Sequence, residues 1–213
     1  MVALPSRDPN QADPRSLLER TFSQRSVIHM RSGTTIPLIR KSLWIVVRGL
    51  VKLGSVTEHG DDILLGLAGP NEVFGESLTS VQAYEAVALD DCDLLCITLD
   101  ELDQSPELYL SLFHAISSRN RQAESLLALL AYRRIEDRLK AFLELIALDY
   151  GQVCSEGLKI NVRLTHHEIA SALSTTRVTV TRVMGHLRKS GWLSFDRDRS
   201  LIVCSLGEQQ SAT

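Results

Sequence analysis

No apolar run in this chain approaches the roughly 20 residues that a membrane-spanning helix needs. The opening stretch, MVALPSRDPNQADPRS, lacks the apolar core of a secretory leader. Cysteine is sparse and unpatterned. Cys92 and Cys96 stand four apart, no second pair follows, and Cys154 and Cys204 are isolated, so no metal-ligand rhythm emerges. Reduced structural thiols in a cytoplasmic protein are the expectation. Catalytic signatures are missing as well. HHEIAS carries the His-Glu of a zinc-protease helix, but Ser171 stands where its second His belongs. His29 and His59 do not cluster, and neither a G-x-S-x-G elbow nor a phosphate loop occurs. These absences argue against an enzyme and against a resident metal.

What is present is an asymmetry of charge. The net charge of −3 conceals it. Residues 1–130 hold 11 Lys and Arg against 17 Asp and Glu, and residues 131–213 hold 12 against 9. Only the C-terminal part is suited to meet a polyanion.

Four segments follow one another. Residues 1–20, rich in Pro, Asp, Arg and Ser, read as a flexible arm. Residues 21–105 hold short β-rich runs (LWIVVRGLVKLGS, DDILLGLAG, EAVALDD, DLLCITL) separated by glycines, the pattern of a small barrel or sandwich. Residues 106–134 then read as one helix. Ser105 is a candidate N-cap, Pro106 occupies the first helical position, and no Gly or Pro recurs until Gly151. Leu112, Ile116, Arg119, Ala123, Leu126 and Leu130 repeat at alternating spacings of four and three, which predicts a dimer seam. Arg119 within such a seam demands an anion nearby. Residues 135–213 open with a second helix, about 135–149, whose apolar set is Ile135, Leu139, Phe142, Leu143, Ile146 and Leu148. YGQVCSEG reads as a loop and LKINVRL as a brief strand.

The stretch TTRVTVTRVM, residues 175–184, has the composition of a strand, being full of Thr and Val. Its surroundings make it a helix. Thr165 and Glu168 form a capping box that starts one helix, STT breaks it, and Thr175 or Thr176 caps the next. At helical period Val180, Val183, Met184 and Leu187 fall on one face, while a strand would scatter them to both. The opposite face collects Val178, Thr181, Arg182, Gly185 and Lys189, with Arg177 at its flank. Arginine there can fork onto guanine, and valine can meet a thymine methyl. Trp192–Phe195 and Leu201–Val203 predict a hairpin wing around Asp196–Ser200, with Arg197 and Arg199 placed for phosphates. Helix, turn, helix and wing together point to DNA binding.

At this point the chain resembles the CRP/FNR superfamily of transcription regulators. LWIVVRGLVKLG and NEVFGES are similar to its β-roll signatures. LTHHEIASALSTTRVTVTRVMGHLRKSGWL is more specific and looks most like the branch of NtcA-type nitrogen regulators. The resemblance covers nearly everything after residue 20. It implies an α+β protein: an N-terminal β-roll of the cyclic-nucleotide-binding type (a double-stranded β-helix), a long dimerisation helix and a C-terminal winged helix-turn-helix. It also implies a homodimeric activator on palindromic double-stranded DNA with GTA-type half-sites, RNA polymerase as a further partner, and base reading by Arg177, Val178 and Arg182, with Thr176, Thr181, Lys189, Arg197 and Arg199 completing the DNA-contacting set. One departure is Ser174, where the family's tight turn usually has Gly.

The effector end matches less closely. Phe74, Gly75 and Glu76 correspond to the segment that meets a cyclic nucleotide's ribose, but Gln82-Ala83 replaces the phosphate-holding Arg pair, which disfavours cyclic AMP. The NtcA branch clamps 2-oxoglutarate with an Arg of that loop plus an Arg and a Glu of the dimer helix. Arg119 and Glu124 match the second set, and Gln82 again replaces the first. Two readings stand: a different carboxylate effector, or Arg119 paired to Glu124 with no ligand required. An iron–sulfur sensor would need a cysteine cluster ahead of Cys92. The rival function is a ligand-binding sensor module that acts mainly through protein partners.

Overall fold

A computed structural model describes residues 26–104 and 106–204. The expected arm at 1–20 and the expected cap Ser105 lie outside the described residues. The glycine-punctuated runs form strands β1 (Ile28–Met30), β2 (Ser42–Arg48), β3 (Val51–Val56), β4 (Asp62–Ala68), β5 (Val73–Phe74), β6 (Glu85–Ala88) and β7 (Cys92–Thr98). Two antiparallel sheets result, in the orders β1-β7-β2-β5 and β4-β3-β6. Alternation explains why β2 reads as an unbroken apolar run. Trp44 and Val46 enter the core with Ile36, Leu53, Phe74 and Leu94. Leu43 and Ile45 belong instead to the cluster that includes Leu102, Leu108 and Leu112 of the helices that follow. Each such side chain contributes about 1.5–3 kcal/mol by leaving water. The Trp44 indole N–H donates to the Pro37 carbonyl at 2.9 Å, so its polar atom is satisfied.

Helix α1 (Leu99–Asp103) starts at a Thr98–Glu101 capping box. The long helix α2 (Pro106–Leu129) corrects the predicted seam. It carries two apolar stripes, and the expected set mixes them. Leu108, Leu112, Ala115, Leu126 and Leu129 are buried against the rest of the chain. Tyr109, Phe113, Ile116, Leu127 and Leu130 are exposed, Phe113 at 64% and Leu127 at 71%. With Asn120 and Ala123 between them, these exposed residues form a continuous heptad stripe one position away from Leu112, Arg119 and Leu126. Arg119 therefore faces the roll and not a partner helix.

Helix α3 (Ile135–Tyr150) buries Leu139, Phe142, Leu143 and Ile146, but leaves the expected core residue Leu148 at 56% exposure. The segment expected as a loop is strand β8 (Gly151–Cys154), paired antiparallel with β9 (Gly157–Ile160). A strand comes about because β9 is itself held by the distant wing, in the sheet order β10-β11-β9-β8, where β10 is Leu193–Phe195 and β11 is Leu201–Val203. Leu50 and Leu67 of the roll join the core of this C-terminal part, so the two halves share apolar packing. Among the described residues no helix is long and apolar enough to cross a membrane.

Candidate nucleic-acid interface

Helix α4 (His166–Ala172) begins as its local sequence dictates. Thr165 Oγ1 accepts from the Glu168 amide at 3.2 Å, and Glu168 Oε2 accepts from the Thr165 amide at 2.7 Å. The turn then bends at Ser174, whose φ is 49°. That is the left-handed region, which costs a residue with a Cβ of order 1 kcal/mol or more. Thr176 caps helix α5 (Arg177–Lys189), accepting from the Thr179 amide at 3.2 Å. Arginine 138 of α3, which the sequence did not single out, secures this turn. Its Nη1 donates to the Leu173 carbonyl at 2.7 Å, and its Nη2 donates to the Tyr132 and Leu130 carbonyls at the end of α2.

The two faces of α5 divide as predicted. Val180, Val183, Met184 and Leu187 are buried. Arg177, Val178, Thr181, Arg182, Gly185 and Lys189 are exposed, Val178 at 78%. No side-chain hydrogen bond or ion pair engages Arg177, Arg182 or Lys189 among the described residues. Nothing within 4 Å would meet a Cβ at Gly185, so the helix surface is open there. The wing is pinned at its tip. Asp196 Oδ1 accepts from the amides of Asp198 and Ser200, at 2.9 and 2.8 Å, and Asp196 Oδ2 pairs with Lys159. The Lys159 ammonium, with the Ser200 amide, holds the Asp196 carboxyl below the usual carboxylate range. Arg197 and Arg199 stand exposed on that braced turn.

The expected effector residues each make separate contacts within the chain. Phe74 and Gly75 are buried, and Phe74 pairs with Trp44 across β5 and β2. Glu76 and Gln82 are exposed, and the Gln82 carbonyl accepts from Ser55 Oγ at 2.7 Å. Glu124 accepts from Asn120 Nδ2 at 2.9 Å. The alternative in which Arg119 pairs with Glu124 is overturned, because five helical residues place the two about 140° apart. Arg119 lies across Gly66, where a Cβ would come within 2.5 Å of its Nη1. That Nη1 donates to the Leu67 carbonyl and to Gln122 Oε1, each at 2.7 Å.

Around it runs a polar network that no local sequence pattern announces. Glu72 Oε2 accepts from Tyr150 Oη at 2.7 Å and from the Gly69 amide at 2.8 Å. Gln122 Nε2 donates to Tyr150 Oη at 2.6 Å and to Asp149 Oδ2 at 3.2 Å. Roll, α2 and α3 are thereby joined. Burial raises the Glu72 and Asp149 carboxyls above their ordinary range. A second roll contact is made to α4: His167 Nε2 lies 2.9 Å from Asp62 Oδ2, and Ser171 Oγ donates to the Asp62 carbonyl. The Cys92 thiol is buried and pushed up to about 12, mainly by burial, so it is an inert core group.

A roll of two antiparallel sheets, a long helix with an exposed apolar stripe, and a winged helix-turn-helix with an open cationic face define a DNA-binding regulator with a cyclic-nucleotide-binding-type domain. The models of the Crp-like helix-turn-helix domain and the cyclic nucleotide-binding domain match residues 121–208 and 39–105. The chain is 36% identical to the global nitrogen regulator of Nostoc sp. over 166 residues, 74% of each chain. It is 34% identical to the regulatory protein CysR of Synechococcus elongatus, over 79% of each. This chain belongs to the CRP/FNR superfamily of transcription regulators. The solved structure of TTHA1359, a CRP/FNR-family regulator from Thermus thermophilus, superposes with a TM-score of 0.68 at 26% identity, covering 87% of this chain and 97% of that one. A CooA variant from Carboxydothermus hydrogenoformans shares the fold at a TM-score of 0.70 and 20% identity, covering 92% and 94%.

Proposed function

We propose that two copies of this cytoplasmic chain pair through the exposed α2 stripe and read a palindromic promoter with GTA-type half-sites, one α5 in each major groove. Within each copy, residues 21–105 act as the sensor roll, 106–134 as the dimer helix and 135–213 as the DNA-binding unit. Arg177, Val178 and Arg182 read bases. Thr176, Thr181, Lys189, Arg197 and Arg199 contact the backbone. The observation that carries this reading is the α5 face, where Val178 is 78% exposed between two free arginines on a helix anchored by four buried side chains. A large apolar side chain held in water beside cations suits a thymine methyl and a phosphate lattice. The name of one relative, global nitrogen regulator, favours a role in nitrogen control, and promoter activation through RNA polymerase is part of the proposal.

Fluorescence anisotropy with a GTA-palindrome duplex tests this. Tight binding that weakens steeply as salt rises is expected, with a scrambled duplex far weaker. Equal affinity for both duplexes would refute base reading.

The effector reading follows from Arg119. Its Nη1 is committed to a carbonyl and an amide of its own chain, which leaves the Nε–Nη2 edge as the donor edge a carboxylate would have to use. With half of the guanidinium already satisfied by its own chain, we favour DNA binding without 2-oxoglutarate or cyclic AMP. Calorimetry with each compound, with and without duplex, checks it. A binding isotherm abolished by Arg119→Ala would restore the carboxylate effector.

A further inference from the structure

Thr181 belongs to the groove face, whereas His166, the first residue of α4, had no role in the sequence reading. The structure joins them. His166 Nδ1 lies 2.8 Å from Thr181 Oγ1, and that hydroxyl lies 2.9 Å from the Arg177 carbonyl oxygen. A hydroxyl has one proton to donate. Both contacts hold at once only if Thr181 donates to Arg177 O and His166 donates from Nδ1. The neutral ring is then the Nδ1–H tautomer, with a bare lone pair on Nε2. His166 also lines a cleft of about 100 Å³ between α4, α5 and the wing, together with Arg163, Met184, Phe195 and Arg199. No carboxylate lines this cleft, and neither arginine side chain has a hydrogen bond or ion pair among the described residues.

We propose that this cleft seats a phosphate of the DNA backbone, and that His166 holds it as an imidazolium, so that binding DNA takes up a proton from solvent. The proposal rests on α5 entering the groove as set out above. A neutral ring would turn its Nε2 lone pair toward a phosphate oxygen, and the two would repel. A protonated ring donates from Nε2 in a charge-assisted bond and still donates from Nδ1 to Thr181. One side chain thus ties a phosphate contact on α4 to the helix that carries the base-reading residues. The charged groups that line the cleft with the ring are cations, Arg163 on the preceding loop and Arg199 on the wing, and α5 adds Arg177 and Arg182 on the helix that carries Thr181. On α4 itself His167 is paired with Asp62, and Glu168 is bonded to Thr165 and lies near Lys52. The counter-charge for the imidazolium must therefore come from the ligand.

The sign follows directly. The protonated protein binds DNA more tightly, so affinity is greatest on the acid side and falls as pH rises. Linkage allows up to about tenfold per pH unit for each imidazole that gains a proton. The experiment is anisotropy with the palindromic duplex at constant ionic strength between about pH 6 and pH 8, where histidine changes charge. Calorimetry in buffers of unequal ionisation enthalpy counts the protons. Wild type and His167→Gln are expected to take up protons and weaken as pH rises, while His166→Gln loses most of both effects. Equal uptake in wild type and His166→Gln would overturn the proposal. Should His166→Gln melt early, nitrogen-15 spectra of the wild-type ring decide instead. Nδ1–H in the free protein and a doubly protonated ring on the duplex support it, and a ring that stays neutral on the duplex overturns it. Specific binding without proton uptake sinks only this inference, whereas failure to prefer the palindrome over a scrambled duplex sinks the groove reading too.

Discussion

In the DNA-binding half, Arg177 and Arg182 stand in solvent with no protein partner among the described residues. In the sensor half, Arg119 lies across Gly66 with Nη1 on the Leu67 carbonyl and on Gln122. The same group is free of protein partners in one place and partly engaged in the other. An exposed arginine keeps its hydration until a phosphate or base edge replaces it, so it is ready to bind an anion. A partly buried arginine must find acceptors inside the fold, and here backbone and amide supply them. The DNA-binding half keeps these cations in solvent, and the roll turns part of its polar network onto itself. That inward network also links roll, α2 and α3 through Glu72, Gln122 and Tyr150. Glu72 of the roll is thus bonded, through Tyr150, to the helix that carries the DNA-binding unit.

The comparison breaks most visibly if the open end needs no second copy. Leu127→Asp places a charge in the exposed α2 stripe. Sedimentation should show a monomer, and affinity for the palindrome should fall by about a hundredfold or more as the paired contact is lost. A dimer of unchanged strength would move the interface elsewhere. Arg182→Ala comes next. It should cost about 1–3 kcal/mol on the palindrome and relax base choice, because a base-reading fork is lost. Equal loss on scrambled DNA would make Arg182 a phosphate contact only.

Legibility differed between the halves for a physical reason. The helix-turn-helix is built from local devices. Thr165 and Glu168 are three residues apart, Thr176 caps three residues ahead, and the buried face of α5 repeats within one helix, so each was readable in place. The roll's strands were readable from their composition. Its polar network was not, because Glu72 meets Tyr150 across 78 positions and Leu67 meets Gln122 across 55. Half of the expected seam, Leu112, Arg119 and Leu126, lies one position off the exposed stripe because α2 is apolar on two sides. Periodicity finds both stripes but does not say which one the roll covers. Strand β8 pairs with β9 across a short turn at Ser155-Glu156, and its mixed GQVC sequence carries no alternation to announce it.

A smaller effect lies at the turn between the reading helix and its support. Ser174 is exposed and holds φ at 49°. Ser174→Gly should relieve about 1 kcal/mol of backbone strain, a rise in melting temperature of about 2–4 °C for a chain of this size. DNA affinity should stay unchanged, because the turn's geometry is kept. A lower melting temperature would mean that the serine stabilises the turn in some way beyond the contacts seen.

The finest test concerns what closes the sensor end, charge or hydrogen bonding. Burial raises the Glu72 carboxyl, so the folded chain holds that proton more tightly than the unfolded chain does. Stability from this group is therefore fully present below the unfolded carboxylate value and is lost as pH rises through the raised folded value. Glu72→Gln keeps the shape and an oxygen to accept from Tyr150 and Gly69, but it cannot ionise. Its melting temperature should match or exceed that of wild type at neutral pH, and the gap should narrow as the solution is acidified. Asp149, raised in the same direction, is present in both proteins and couples to Glu72, so the gap reports the pair with Glu72 as the group removed. A gap that widens on acidification would mean that the ionised carboxylate itself holds roll and α3 together. The sensor end would then be closed by an anion after all, as the DNA-binding half is proposed to be when it meets phosphate.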